Sequence, residues 1–253
     1  SYGGRVSSVL DVYQKDGNNQ KFEANGGIGS ISSRFLIEGP IQKNKSSFLF
    51  ASRGSYAHLF LKLTDIENVA YFYDLNTKSN FVLNDKNKIY VSGYFGRDVF
   101  KLQDTFSNTY GNNTLNLRWN NLINEKTFSN TSLIYSNYYY GLELDFGGFD
   151  WESSIKNLNL KFDIKNYFSS KSQFNYGINL LYFDFNPGKI SPLTEDSGIN
   201  YSKLNAKYAI ESSLYFDVIN KINSNLSIRY GFRFNQFLRL RQQGLQSYIN
   251  DNP

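Results

Sequence analysis

A single histidine, His58, stands in Tyr56-Ala57-His58-Leu59-Phe60, so any imidazole-based proton transfer would rest on this one residue. No serine lies at a spacing that supports a Ser–His hydrolytic site, and a rim position at the far end of a strand accounts for it. Gly26-Gly27-Ile28-Gly29 matches neither a P-loop nor a dinucleotide fingerprint. Small residues that soften a bend, or give way to a neighbouring segment, explain it better. Asp145, Asp150 and Glu152 around Gly147-Gly148 offer oxygen ligands for Ca²⁺. Their spacing fits no EF-hand, and a solvated acidic loop is the default reading. Asn44-Lys45-Ser46, Asn130-Thr131-Ser132 and Asn225-Leu226-Ser227 fit the glycosylation pattern but fall in or beside short turns. With Cys absent there are no disulfides and no thiolate metal sites. The inventory predicts no catalytic residue, no metal and no cofactor, hence not an enzyme.

A different chemistry is written into Leu226–Asn235. Leu226, Ile228, Tyr230, Phe232 and Phe234 are apolar, and Ser227, Arg229, Gly231, Arg233 and Asn235 stand between them. This period of two defines an extended strand with one greasy and one charged face. The arginines cannot face hydrocarbon or a dry core without partners, so their face is wet or lined with polar groups. The same logic assigns Arg118, Lys161, Asp163 and Glu211 to a polar face on earlier strands.

The positioning elements are long strands. Tyr71, Tyr73, Leu75, Thr77, Ser79, Phe81 and Leu83 alternate with Phe72, Asp74, Asn76, Lys78, Asn80 and Val82. Leu115, Leu117 and Trp119, then Leu158, Leu160, Phe162 and Ile164, then Phe174, Tyr176, Ile178, Leu180 and Tyr182 repeat the pattern. Leu204–Ile219 also fits a helical period, but the alternation of Tyr208, Ile210, Leu214, Phe216 and Val218 with Glu211, Ser213 and Asp217 favours a strand. Phe128–Tyr140 has no clean phase, which predicts a bulge there.

Short polar turns fall at Gln42–Ser46, Asn84–Lys88, Asn124–Lys126, Ser169–Ser172 and Asn223–Asn225. Longer connections are expected around Thr64–Asn68, Asp104–Asn113, Asp145–Asp150 and Pro187–Leu204. Alternate joints of an antiparallel sheet share one end, so short turns collect at one end and long loops at the other. Counted from Phe22, the chain holds about eleven strands, and the long alternating ones have the ~9–11 residues that a tilted membrane strand needs.

These features predict an all-β fold, an antiparallel transmembrane β-barrel. Aromatics form 17% of the 253 residues. Their clusters near strand ends (Tyr71 and Tyr73, Tyr138–Tyr140, Trp151, Phe183 and Phe185) sit where interfacial girdles belong. No run reaches the ~20 apolar residues of a transmembrane helix, and the mean hydropathy of −0.47 is what a barrel with a polar lumen gives. No signal-peptide pattern opens the chain. The net charge of +5 is spread without a basic stripe, so no nucleic-acid partner is expected.

The N-terminal third carries a resemblance. Tyr2-Gly3-Gly4-Arg5-Val6-Ser7-Ser8-Val9-Leu10-Asp11-Val12, followed by Lys15-Asp16-Gly17-Asn18, resembles the end of the plug of TonB-dependent outer-membrane receptors. Gly26-Gly27-Ile28-Gly29, Ser32-Ser33-Arg34 and Leu36-Ile37-Glu38-Gly39-Pro40-Ile41 resemble the first barrel hairpin of the Bacteroidetes members. Tyr71–Asn76 and Leu83–Asn87 into Ser92–Asp98 are similar to later hairpins of that group. The resemblance implies residues 1–16 as the C-terminal end of a plug and 17–253 as the N-terminal half of a barrel of about 22 strands. It implies a bacterial outer-membrane location, with nutrient captured at the outer loops and imported by energy coupled through TonB. The implied partners are outer-membrane lipid, the protein's own plug, the TonB complex through a region N-terminal to this chain, and a ligand. It leaves room for a surface lipoprotein. Arg118, Lys161, Asp163, Glu211, Arg229 and Arg233 then become lumen-facing residues that contact the plug or line a permeation route.

Two other classes compete: a passive porin-like channel or interaction scaffold, and a soluble carbohydrate-binding β-sandwich. The intact protein should partition into detergent and show heat-dependent gel mobility; a stable soluble monomer would refute the membrane reading.

Overall fold

The computed structural model describes residues 12–61, 68–103 and 105–240. The plug-like stretch before Val12 and the polar tail after Leu240 lie outside these residues. Eleven strands run in chain order through one antiparallel sheet: β1 (Glu23–Ile28), β2 (Ser32–Gln42), β3 (Ser46–Ser55), β4 (Val69–Asn84), β5 (Asn87–Leu102), β6 (Phe106–Asn124), β7 (Thr127–Leu144), β8 (Phe149–Tyr167), β9 (Ser172–Pro192), β11 (Lys207–Lys221) and β12 (Ser227–Arg239). A two-residue strand, β10 (Ser202–Lys203), folds back onto β9 at Ile190 and Lys189. The one helix among the described residues is α1 (Ala57–Leu61), between β3 and β4. The ambiguous Leu204–Ile219 segment is strand from Lys207 onward.

At one end the joints are residues 43–45, 85–86, 125–126, 168–171 and 222–226. Asparagine closes three of them: Asn84 Oδ1 accepts from the Lys86 amide and Asn124 Oδ1 from the Lys126 amide, each at 3.0 Å. Asn223 Oδ1 accepts from the Asn225 and Leu226 amides, whereas Ser169 Oγ serves at 168–171. Such side-chain-to-backbone bonds mimic a turn of the main chain. At the other end the joints are 29–31, 56–68, 103–105, 145–148 and 193–206. The expected connection Asp104–Asn113 is therefore mostly strand. The one expected over Pro187–Leu204 is strand only in its first six residues and at β10, the rest lying in the 193–206 loop. β6 begins at Phe106, and β9 continues to Pro192 through an irregularity opposite Glu152 and Ser154. The expected bulge within Phe128–Tyr140 is absent, because β7 pairs in continuous register with both β6 and β8 there. Its mixed phase comes from side chains of both kinds on both faces.

The faces follow from register. Residues 14–18 lie against one face, here called inner; the other is outer. Tyr182, Leu158, Tyr135, Leu115 and Gly93 form one hydrogen-bonded row on the outer face. The next outer row toward the loop end is Asp184, Lys156, Asn137 and Asn113. On β6 to β9 one step along the strands thus separates an apolar band from polar and charged residues, whereas the same row is Phe95 on β5 and Leu75 on β4. On the turn side of this boundary, β8 presents Leu158, Leu160, Phe162 and Ile164, and β9 presents Phe174, Tyr176, Ile178, Leu180 and Tyr182. A band of this composition suits hydrocarbon, and strands of 19 and 21 residues exceed the ~9–11 that a span needs. The surplus projects beyond the band at the loop end.

There the sidedness of the aromatics corrects the girdle expectation. Tyr71, Tyr73 and Tyr139 are outward, with Tyr71–Tyr73 and Tyr73–Phe95 ring centroids 6.5 and 5.8 Å apart. Tyr138, Tyr140, Trp151, Phe183 and Phe185 are inward, and Tyr140 meets Trp151 edge-on at 5.7 Å. Alternation is the cause: three consecutive tyrosines cannot share one face.

Leu160→Arg, at mid-band on the outer face, should cost about 2–4 kcal/mol of folding into bilayers. Asn159→Arg beside it, on the inner face, should cost little. Urea titration of the intact barrel folding into phosphatidylcholine vesicles checks the contrast.

Candidate functional site: the charged inner wall

β2, β3 and β4 place Glu38, Leu49 and Lys78 directly opposite one another on the inner face. All three are buried, at 4%, 5% and 7% exposure, although two are charged. What covers them is the segment before β1. Lys15 Nζ lies 2.6 Å from Glu38 Oε1 and Asp16 lies 2.7 Å from Lys78 Nζ. Glu38 also accepts from the Asn18 amide at 3.0 Å, and Lys78 donates to the Gln14 carbonyl at 2.7 Å. Gln14 Nε2 donates to Asn76 Oδ1 at 3.0 Å. The two wall charges are opposite in sign, and the segment answers them with opposite charges in consecutive positions.

Gly17 permits the approach. A Cβ there would sit 2.0 Å from the Phe48 carbonyl oxygen, main chain that cannot step aside. Next to this contact Arg53 pairs with Asp74 at 2.5 Å, and Asn80 donates to Ser47 Oγ at 2.6 Å. Before β1, a hydrogen bond from Lys21 to Glu23 at 2.7 Å, reinforced by the carboxylate charge, raises the Lys21 ammonium above its ordinary pKa.

The six residues singled out from sequence share the inner face but are spread over β6 to β12. Arg118, Ser132, Lys161, Asn179 and Ser213 form one row. Asp163, Gly177, Tyr215 and Arg233 share the next row toward the turns. Arg118 lies over the Tyr90 ring at 4.6 Å, and its Nε is buried without a hydrogen-bond partner among the described residues. Lys161 lies 3.3 Å from Asp163. Arg233 lies over Tyr215 at 5.3 Å, and Arg229 pairs with Asp217 at 3.2 Å. Glu211 is buried one row toward the loop end from Ser213. An open groove of about 850 Å³ near the turns brings Asp163 and Arg229 together with Tyr90, Lys165 and Asp217. On β6 the Oδ1 atoms of Asn108, Asn112, Asn116 and Asn120, every second inner position, are buried and accept no hydrogen bond among the described residues. Such acceptors need water or another chain segment.

Glu38, Lys78, Arg53 and Asp74 are the functional residues that sequence reasoning missed. The alternation through Asp74, Asn76, Lys78 and Asn80 showed their face, but the pairing across strands is not visible in a linear pattern. His58 sits in α1 with its ring 5.2 Å from Tyr71, an ordinary aromatic contact. Among the described residues no three His, Cys, Asp or Glu cluster as a metal site, Asp145, Asp150 and Glu152 included.

No protein-family model and no curated protein sequence matches the chain significantly. Solved structures do match in shape. A copper transporter, OprC, aligns with a TM-score of 0.69 and 7% identity over 88% of this chain and 39% of its own. The siderophore receptor PirA from Acinetobacter baumannii aligns with a TM-score of 0.58 and 10% identity over 88% of this chain and 37% of its own. The fold is thus that of about half an outer-membrane β-barrel. The chain spans well under half the length of either structure.

Removing Asp16 or Lys15 strands a buried wall charge, whereas removing a wall residue frees a partner that water can reach. Asp16→Ala should therefore cost about 2–3 kcal/mol in attachment of the segment, and adding Lys78→Met should recover most of it. Hydrogen exchange at the Asn18 amide in the intact protein reports the attachment.

Proposed function

We propose that this chain is the end of the plug, residues 1–16, and the first half of the barrel, residues 17–253, of a TonB-dependent outer-membrane receptor. The intact protein sits in the bacterial outer membrane, binds a nutrient at its loop end and imports it by plug movement driven through TonB. Its partners on this reading are the outer-membrane lipid, its own plug, the TonB complex and the ligand, with a surface lipoprotein as an optional addition.

The observation that carries this reading is the covering of the inner wall by Gln14–Asn18. A polypeptide entering from the inside and docking by alternating ion pairs onto buried wall charges is what a plugged barrel requires. A passive channel has no use for a segment whose charges neutralise its own wall. The resemblance of Tyr2–Val12 to the end of a plug supports the same view, as do transport and receptor roles in the matching structures' names. Arg118, Lys161, Asp163, Glu211, Arg229 and Arg233 are then lumen-wall residues facing the plug or the path it opens. Mixed charge on a wet wall suits a surface that must bind a moving domain and let it go.

Intact protein in planar bilayers should show no steady conductance, and deletion of everything before Gln20 should open large, ohmic channels. Constant conductance of the unmodified protein would identify a passive pore and overturn the proposal.

A further inference from the structure

The outer face beyond the polarity boundary is not uniform. Tyr73, Arg97, Gly111, Tyr139, Ser154 and Asn186 form the row next to Asp184, Lys156, Asn137 and Asn113 on the loop side. Gly111 leaves a gap in this row, which the Tyr139 side chain fills: a Cβ at Gly111 would sit 2.4 Å from the Tyr139 hydroxyl. Around that gap runs a groove of about 510 Å³ with Arg97 at one side and Lys156, Asn137 and Thr109 along it. The Arg97 Nε is buried and has no hydrogen-bond partner among the described residues. The side chain is half-buried, so an oxyanion in the groove would meet the Nη end of the guanidinium and not the covered Nε.

We propose that this groove seats the phosphate-bearing headgroup of a lipid in the leaflet that surrounds the barrel at its loop end. The inference rests on the membrane reading above, because it needs the apolar band to be immersed. Its position is the main argument. The groove starts one residue step beyond the Tyr182–Leu158–Tyr135–Leu115 row, where acyl chains give way to headgroups, and it faces away from the lumen. An acyl chain lying on Leu115, Leu158 and Tyr135 would bring its headgroup to Lys156 and Arg97. Charge distribution confines the anion to that side of the groove. Glu143, Asp150 and Glu152 line the opposite, loop-side end, with Glu152 held by Lys189 at 2.9 Å, and they repel a phosphate from it. Asn137, directly opposite Lys156, supplies a neutral donor beside the lysine.

The test uses the intact barrel that contains this chain, in mild detergent, titrated with bis-phosphorylated lipid A and read by native mass spectrometry. Unmodified protein should retain a bound lipid A. Arg97→Gln with Lys156→Gln should bind at least about tenfold more weakly, the scale expected for two charge-assisted contacts. Dephosphorylated lipid A on unmodified protein should bind as weakly. Heat-dependent gel mobility of the variant shows that the barrel is intact. Equal retention by variant and unmodified protein overturns the proposal, as does inorganic phosphate displacing lipid A at micromolar concentration, which would mark a free-anion site. Unmodified protein that fails to partition into detergent refutes the membrane reading itself, and is told apart by that failure.

Discussion

Hydrocarbon offers no partner to a main-chain N–H or C=O, so a chain that lies in it must pair every backbone polar group internally. Between its edge strands the sheet meets that demand through register that runs unbroken across the apolar band, while β1 and β12 each keep one edge unpaired among the described residues. Its irregularities lie outside the band. Three sit beside short turns, at Pro40/Gln42, Val82/Asn84 and Leu122/Asn124. One sits near the loop end, opposite Glu152 and Ser154. Proline obeys the same rule. Pro40 adjoins a turn, Pro187 falls in the irregular part of β9 and Pro192 ends that strand, places where a missing N–H breaks no ladder bond within hydrocarbon.

With the backbone made uniform, distinctions fall to side chains, and two of them divide the sheet. Across it, alternation separates the outer band from an inner wall that carries Glu38, Asp74, Lys78, Arg118 and Arg229. Along it, polarity reverses toward the loop end: the outer face gains Arg97, Glu143 and Lys156, while the inner face gains Phe106, Tyr138, Tyr140 and Trp151. The same strand therefore serves lipid below and water above on its outer side, while its inner side is polar toward the turns and aromatic toward the loops.

Strand existence, number and sidedness were legible because a period of two is a local property. Leu158–Ile164 or Leu226–Asn235 declare both faces within ten residues. What escaped depends on partners distant in sequence. Glu38 and Lys78 are forty residues apart and meet only because Leu49 pairs with both. Tyr138–Tyr140 looked like a single girdle element because clustering in sequence hides opposite directions in space. The joint at Asp104–Asn113 and the first residues of Pro187–Leu204 read as loop because asparagine, glycine and proline weaken strand propensity. In β6 and β9, long flanking ladders override it.

The seat of Gln14–Asn18 on β2 and β4 has a mechanical meaning. A pull applied from the N-terminal side of the chain would load the barrel at this seat. The load there runs along the wall, across ion pairs and an amide bond stacked within five residues, so several contacts must shear together. Glycine at position 17 holds the backbone flush against β3 and leaves no lever arm for peeling. A load on the seat is thus shared between β2 and β4, and the barrel wall acts as the fixed post that bears it.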